Sequence, residues 1–264
     1  MRTLLALCCA ALIVSGQTSF AKVNDVTAQS TQMIVVRTPD WNTVQGRLQR
    51  YERAKPGEAW RPVGQAIPIV VGKNGMAWGS GLIATESVHA NTDPVKREGD
   101  GRSPAGVFSL GTAFGDAPEP LSGTMLPYRS LTPSIECVDD VDSKSYNRIV
   151  DRSRAQVDWK SSEHMRDVGE AYRWGIVVNH NAIANTGSAP SPVRGGGSCI
   201  FLHIWRDADH GTAGCTAMEP SEIETLLRWL DPKRNPVLVQ LPADQYAKAM
   251  KPWSLPGVVS LPAK

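Results

Sequence analysis

The sequence has no apolar run long enough to cross a membrane, which takes roughly 20 residues in a helix. Its most hydrophobic stretch, LLALCCAALIV at 4–14, falls well short of that. It lacks a charge bias as well: 28 basic residues stand against 26 acidic ones, for a net +2. A near-neutral chain gives no electrostatic case for nucleic acid or for an anionic membrane surface. Repeats and low-complexity tracts are missing, so a solenoid or an extended linker protein is excluded. Cysteine and histidine are scarce, at five each. Where these few residues fall therefore carries weight.

Arg2, the short apolar run and SFA at 19–21 make the pattern of a secretory leader cleaved after Ala21. The expectation is a leader over 1–21, a polar linker over 22–31 and an exported, soluble product. Losing Arg2 takes the net charge from +2 to +1. What remains, roughly 240 residues, suffices for one sizeable core. The leader also removes Cys8 and Cys9, leaving Cys137, Cys199 and Cys215. Three cysteines in an oxidising compartment point to one pair and one free thiol.

Along the chain, strand patterns dominate. QMIVVRT (32–38), AIPIVVG (66–72), GMAWGSGLI, VFSLGTAFG, WGIVVNHN (174–181), SCIFLHIW (198–205) and PVLVQLP all read as strands. WNTVQGRLQRYERA fits a helix or a strand. EPSEIETLLRWLDP is the clearest helix, with Ser221 and Glu224 as a capping box, Asp231-Pro232 as its stop, and Ile223, Leu226, Leu227 and Leu230 as its apolar stripe. Residues 115–172 are long, polar and proline-broken, but Tyr128, Tyr146 and Trp159 argue for an ordered lid. AIANTGSAPSPVRGGG reads as a flexible loop, and the Pro-rich tail over 246–264 as peripheral. The sum is a β-rich single domain with one or two helices.

The chemistry concentrates in GGGSCIFLHIWRDADHGTAGCTAM, 195–218. In a strand over 198–205, Ile200, Leu202 and Ile204 share the core face, and Cys199, Phe201, His203 and Trp205 the other. A histidine in so apolar a strand serves either a structural role, its ring satisfied by backbone, or a catalytic one; alone, the structural role is commoner. Cys199 would lie roughly 13 Å from His203 along such a strand. The glycine-bearing loop RDADHGTAG can instead fold Cys215 back onto His203. A Cys–His pair makes a thiolate–imidazolium nucleophile, and Gly214 beside the thiol lets backbone N–H groups approach an oxyanion. His210 is a poorer base, being on a loop. A zinc site from Cys199, His203, His210 and Cys215 fails on spacing, so no metal is expected. KREGDGRSPAGVF (96–108) is a glycine-rich turn without the strand–glycine–helix context of a phosphate loop. VDDVDS (138–143) breaks the calcium-loop pattern at Lys144 and Ser145.

Taken together, KREGDGRSPAGVF and GSCIFLHIW…TAGCTAM resemble the two signature segments of the L,D-transpeptidase catalytic domain, the YkuD-like family. The resemblance runs from about 32 to 241, with a domain expected over 32–245 and a lid within it. It implies a mainly β fold with a curved, sandwich-like sheet, Cys215 as the acylated nucleophile, His203 as its base, and Thr212 and Gly214 as support or oxyanion donors. It implies peptidoglycan stem peptides as partners, no cofactor, no nucleic acid, a monomer, and a periplasmic or envelope location. The usual second histidine of the cysteine motif is Ala213 here, and the usual arginine two residues on is Ala217. The donor carboxylate would then fall to Arg206, Arg194 or Arg102, with Trp205 beside them. A Cys137–Cys199 disulfide is expected to tie the lid to the active-site strand. Alternatives are an L,D-carboxypeptidase or other cysteine peptidase, and a non-catalytic peptidoglycan-binding protein.

Overall fold

A computed structural model describes residues 27–83, 89–182 and 192–257. The expected leader, and most of the loop after Asn181, lie outside them. The chain order is β1 (Gln32–Thr38), β2 (Gln45–Glu52), β3 (Arg61–Val70), β4 (Met76–Trp78), β5 (Ser103–Gly115), β6 (Tyr128–Ser130), β7 (Ile135–Cys137), β8 (Ile149–Asp151), β9 (Glu163–His164), a 3-10 segment (Met165–Tyr172), β10 (Trp174–Val178), β11 (Phe201–Ile204), β12 (Thr216–Met218), α1 (Pro220–Trp229), a 3-10 turn (Pro232–Arg234), β13 (Val237–Pro242) and α2 (Ala243–Ala249). The protein is mainly β, as its alternating patterns predict. The ambiguous stretch after Trp41 forms β2, which pairs antiparallel with β1.

The curvature goes further than a bent sheet. Strands β10, β11, β12, β3, β2, β1, β13 and β5 are hydrogen-bonded in that order, and β5 pairs back to β10, closing the ring. At 13 residues, β5 takes its partners in succession: β4 at Ser103–Ala105, β13 at Gly106–Ser109 and β10 at Leu110–Gly115, with β6 also at Ala113–Gly115. The main core gathers Ile34, Val36, Leu48, Ile69, Val107, Leu202 and Ile204 with the apolar stripe of α1.

Three local expectations change. Helix α1 begins at Pro220, with Glu219 at the cap and no side-chain capping bond. Proline suits the first helical position, where its missing N–H leaves nothing unsatisfied. Ser221 then falls inside the helix, and Glu224 pairs with Arg228 at 3.2 Å. The described part of the C-terminal stretch, 246–257, is not peripheral: Tyr246, Ala249, Trp253 and Leu255 belong to the main core, Trp253 only 1% exposed. The end of the expected linker is held too, since Arg53 donates to the carbonyls of Thr27 and Ala28, and Thr27 to that of Trp253.

Residues 115–172 form a fixed wall with its own three-stranded sheet, β8-β7-β9. Its hub is Glu136, fully buried on β7. The carboxylate accepts from Trp159 Nε1 (2.9 Å), Ser162 Oγ (2.8 Å) and Arg152 Nη1 (3.2 Å), with His164 Nδ1 at 3.3 Å. Burial pushes its pKa up, but these donors more than offset that and hold it below the usual carboxylate value.

Candidate active site

Strands β11 and β12 run parallel, with Leu202 opposite Thr216 and His203 opposite Ala217. One step earlier this register places Cys215 across from Phe201, and the Phe201 N–H donates to Cys215 Sγ at 3.3 Å. Paired residues of neighbouring strands share a face. Phe201, His203 and Cys215 therefore all point away from the main core, toward the wall. The alternation predicted for SCIFLHIW holds, but the strand is shorter, because Cys199 has φ +55° and cannot be extended. The separation of roughly 13 Å argued from a continuous strand thus does not apply. Cys199 is instead joined to Cys137 of β7 in a disulfide, and Cys215 is the free cysteine among the described residues.

Beneath the site lies an aromatic cluster. Phe114, Tyr172 and Phe201 meet edge to face at centroid separations of 5.0–5.6 Å, and Tyr172 stands 5.3 Å from the His203 ring. Gly175 makes room for it, as a Cβ there would lie 2.2 Å from the Phe114 ring. Such a packed floor fixes the rotamers of the polar groups above it.

His203 Nδ1 lies 2.8 Å from the Ile204 carbonyl, which can only accept. The neutral ring therefore carries its proton on Nδ1 and leaves Nε2 as a base. Burial takes the imidazole down to about 4, against the opposing pull of that carbonyl. The Cys215 thiol is pushed up to about 12, first by burial and then by the charge of Glu163. Both shifts run toward a neutral thiol and a neutral imidazole at rest, against the thiolate–imidazolium expected from sequence. No hydrogen bond joins them in this state: Sγ donates to the Cys199 carbonyl at 3.4 Å and accepts from Phe201. Catalytic hydrogen bonds commonly tighten only when substrate is bound.

The Cys215 carbonyl is held twice, by Ser103 Oγ at 2.8 Å and Thr212 Oγ1 at 2.6 Å. Ser103 also accepts the Gly72 N–H, and Thr212 accepts the Gly214 N–H at 3.1 Å. Thr212 and Gly214 are therefore supports of the turn, and the Gly214 N–H is already engaged at rest. Ser103 comes from the other signature segment. There Asp100 organises the turn by accepting from the N–H groups of Arg97 and Arg102 and from buried Lys96.

Cys215 and His203 open into one cavity of about 530 Å³, bounded on the wall side by Asp139, Glu163 and Tyr172 and elsewhere by Lys96, Glu98 and Arg206. Arg206 stands at its rim, 79% exposed. Arg102 does not line it, because its guanidinium is bound to the carbonyls of Trp41 and Met76 and to Asn42. Arg194 pairs with Asp142 away from the cavity, and Trp205 is absent from its lining. His210 reaches the mouth but is paired with Asp207 at 2.7 Å. Ala217 is fully buried opposite His203, so that position offers no cation. Sequence reasoning missed Glu163, Tyr172, Lys96 and Ser103; only Lys96 and Ser103 lay in a segment it had singled out. Among the described residues no cluster of metal-ligating side chains occurs, and no helix is long and apolar enough to cross a membrane.

The family model for the L,D-transpeptidase catalytic domain, YkuD, matches residues 34–239. No curated protein matches in sequence. Among solved structures, that of Bdellovibrio bacteriovorus Bd1075 aligns with a TM-score of 0.36 at 13% identity, over 84% of this chain and 51% of that one.

Proposed function

The chain belongs to the YkuD family of L,D-transpeptidase catalytic domains, and from that premise we propose that it is an exported cysteine acyltransferase acting on peptidoglycan stem peptides. One observation carries the reading: the only free thiol among the described residues and an imidazole with its Nε2 unprotonated share one face of adjacent strands and one cavity. In this mechanism His203 Nε2 takes the thiol proton as Cys215 Sγ attacks a stem carbonyl. The imidazolium then protonates the departing amine, leaving a thioester. An acceptor amine attacks the thioester, gives its proton to His203, and the thiol is restored. Splitting the transfer through a thioester divides one difficult step into two easier ones. The neutral resting pair means that the proton moves only once substrate fills the cavity.

Arg206 is the arginine we assign to a donor carboxylate, since of the three it alone lines the cavity, and its contact with Asp207 is a long one at 3.9 Å. The leader pattern and the disulfide both support export into an oxidising compartment. The test is mass spectrometry of wild type, Cys215→Ala and His203→Ala after incubation with tetrapeptide muropeptides. Wild type should form an acyl-enzyme and cross-linked dimers, and Cys215→Ala neither. Tripeptide as the sole product would make the site a carboxypeptidase, and an inert wild type would leave a binding protein.

A further inference from the structure

Charged groups reach the cavity around Cys215 from several elements, and nearly all are already paired. Lys96 is bound to Asp100 and to the Arg97 carbonyl, Glu98 accepts from Tyr146, Asp139 accepts from Ser161, and Arg206 and His210 face Asp207. Glu163 differs. Its Oε1 accepts the Tyr172 hydroxyl at 2.7 Å, while Oε2 has no donor among the described residues. Its environment is largely buried, and its electrostatic neighbours are Asp139, Tyr172 and Cys215. Tyr172 lines the same cavity as the thiol and interacts with it electrostatically, yet its hydroxyl has a single proton to give, and Glu163 holds it.

Resting on the acyltransferase reading, we propose that Glu163 seats a primary ammonium of the substrate and that this seating readies Cys215. An ammonium on Oε2 neutralises the carboxylate that opposes thiolate formation. It also loosens the hold of Oε1 on Tyr172, whose proton turns to Sγ. No proton is gained or lost in that exchange; the thiol proton still passes to His203 Nε2. The arrangement makes the nucleophile inert in an empty site and ready in a filled one. The ammonium belongs either to an amine-bearing side chain of the donor or to the incoming acceptor amine.

The test is the rate at which iodoacetamide alkylates Cys215 in the full chain at neutral pH, read by intact mass. Each unit by which the thiol's pKa falls raises the thiolate tenfold and lowers its nucleophilicity, for a net gain of about threefold. Glu163→Gln should react at least about threefold faster than wild type. n-Butylammonium chloride, against sodium chloride at equal ionic strength, should accelerate wild type and leave Glu163→Gln unchanged. Tyr172→Phe, which removes the donor but keeps the charge, should react more slowly than wild type. Equal rates for wild type and Glu163→Gln, or acceleration in both variants, would overturn the proposal, the second because it marks a general loosening. Acyl-enzyme formation from a stem tetrapeptide with its side-chain amine free or acetylated separates the two sources. Slower acylation by the acetylated form in wild type but not in Glu163→Gln places the ammonium on the donor, and equal acylation by both forms places it on the acceptor. Alkylation needs no acyl transfer, so a positive result beside inert muropeptide assays would defeat only the transferase reading.

Discussion

Breaking the Cys137–Cys199 bond should weaken the fold by an amount that follows from its position in the chain. The bond closes a loop of 62 residues. In the chain-entropy treatment, restoring freedom to a loop of that length favours the unfolded state by about 4 kcal/mol at 25 °C. That is a large part of the 5–15 kcal/mol by which domains are ordinarily stable. The released segment carries one side of the cavity, with Asp139, Glu163 and Tyr172 on it. It is also held by β10, which pairs with β5 and β11 and buries Trp174, Ile176 and Val178 in the main core, and by polar contacts, among them Asn147 Oδ1 accepting the Cys199 N–H and Tyr146 bridging Glu98 and Gly197. The clean variant is Cys137→Ser with Cys199→Ser in a Cys215→Ala background, which prevents thiol exchange. Urea denaturation against the Cys215→Ala parent should show a loss of about 4 kcal/mol, with a larger slope because the unfolded chain is less compact. A loss under about 1 kcal/mol would refute the reasoning, because the loop would then be constrained in the unfolded state without the bond.

Other consequences are as direct. His203 and His180 are both buried and both taken down to about 4, burial being the main cause in each. Unfolded, each titrates near 6.5, so between about 6.5 and 4 the unfolded state binds more protons. Stability should be full above pH 6.5 and fall below it by up to about 2.7 kcal/mol per pH unit, and a urea midpoint flat from pH 7 to 5 would contradict this. Ser103→Ala strands the Gly72 N–H and loosens the Cys215 carbonyl, so it should cost about 1–3 kcal/mol in thermal or urea unfolding. Glu136→Ala leaves Trp159, Ser162 and Arg152 without their acceptor; proteolysis confined to 115–172, with a native barrel, is the expected result. Trp253→Ala should cost about 3–5 kcal/mol, and a change under 1 would return the C-terminal stretch to the periphery.

Strand content and the gathering of Cys215 and His203 on one face were legible because they rest on local signals. Period-two alternation marks β1 and β11, and a glycine loop returns Cys215 to His203. What escaped was set by distant partners. Cys199 looks like a strand residue in SCIFLHIW, yet its bond to Cys137 and Asn147's grip on its N–H go with a left-handed backbone. Arg102 looks like a free cation in a glycine-rich turn, but carbonyls some 26 and 61 residues earlier take its guanidinium. Glu163 and Tyr172 carry no pattern at all: only the packing of the wall brings them to the thiol. The closure of the ring likewise depends on β5 reaching β10, a pairing no single segment announces.

That closure bears on how a stem peptide can be read. In the ring beside Cys215 both edges of each strand are taken, β11 by β10 and β12, and β12 by β11 and β3; the two-residue β9 of the wall keeps one unpaired edge. Extended peptides are often captured by adding themselves to a bare sheet margin, where main-chain hydrogen bonds give affinity with little regard for sequence. On the ring strands that mode is closed to a ligand. A peptide lying there would be bound by side chains and loop amides, so selectivity would rest on the charges lining the pocket, and a change at one of them should alter which peptides are accepted more than how tightly peptides bind in general.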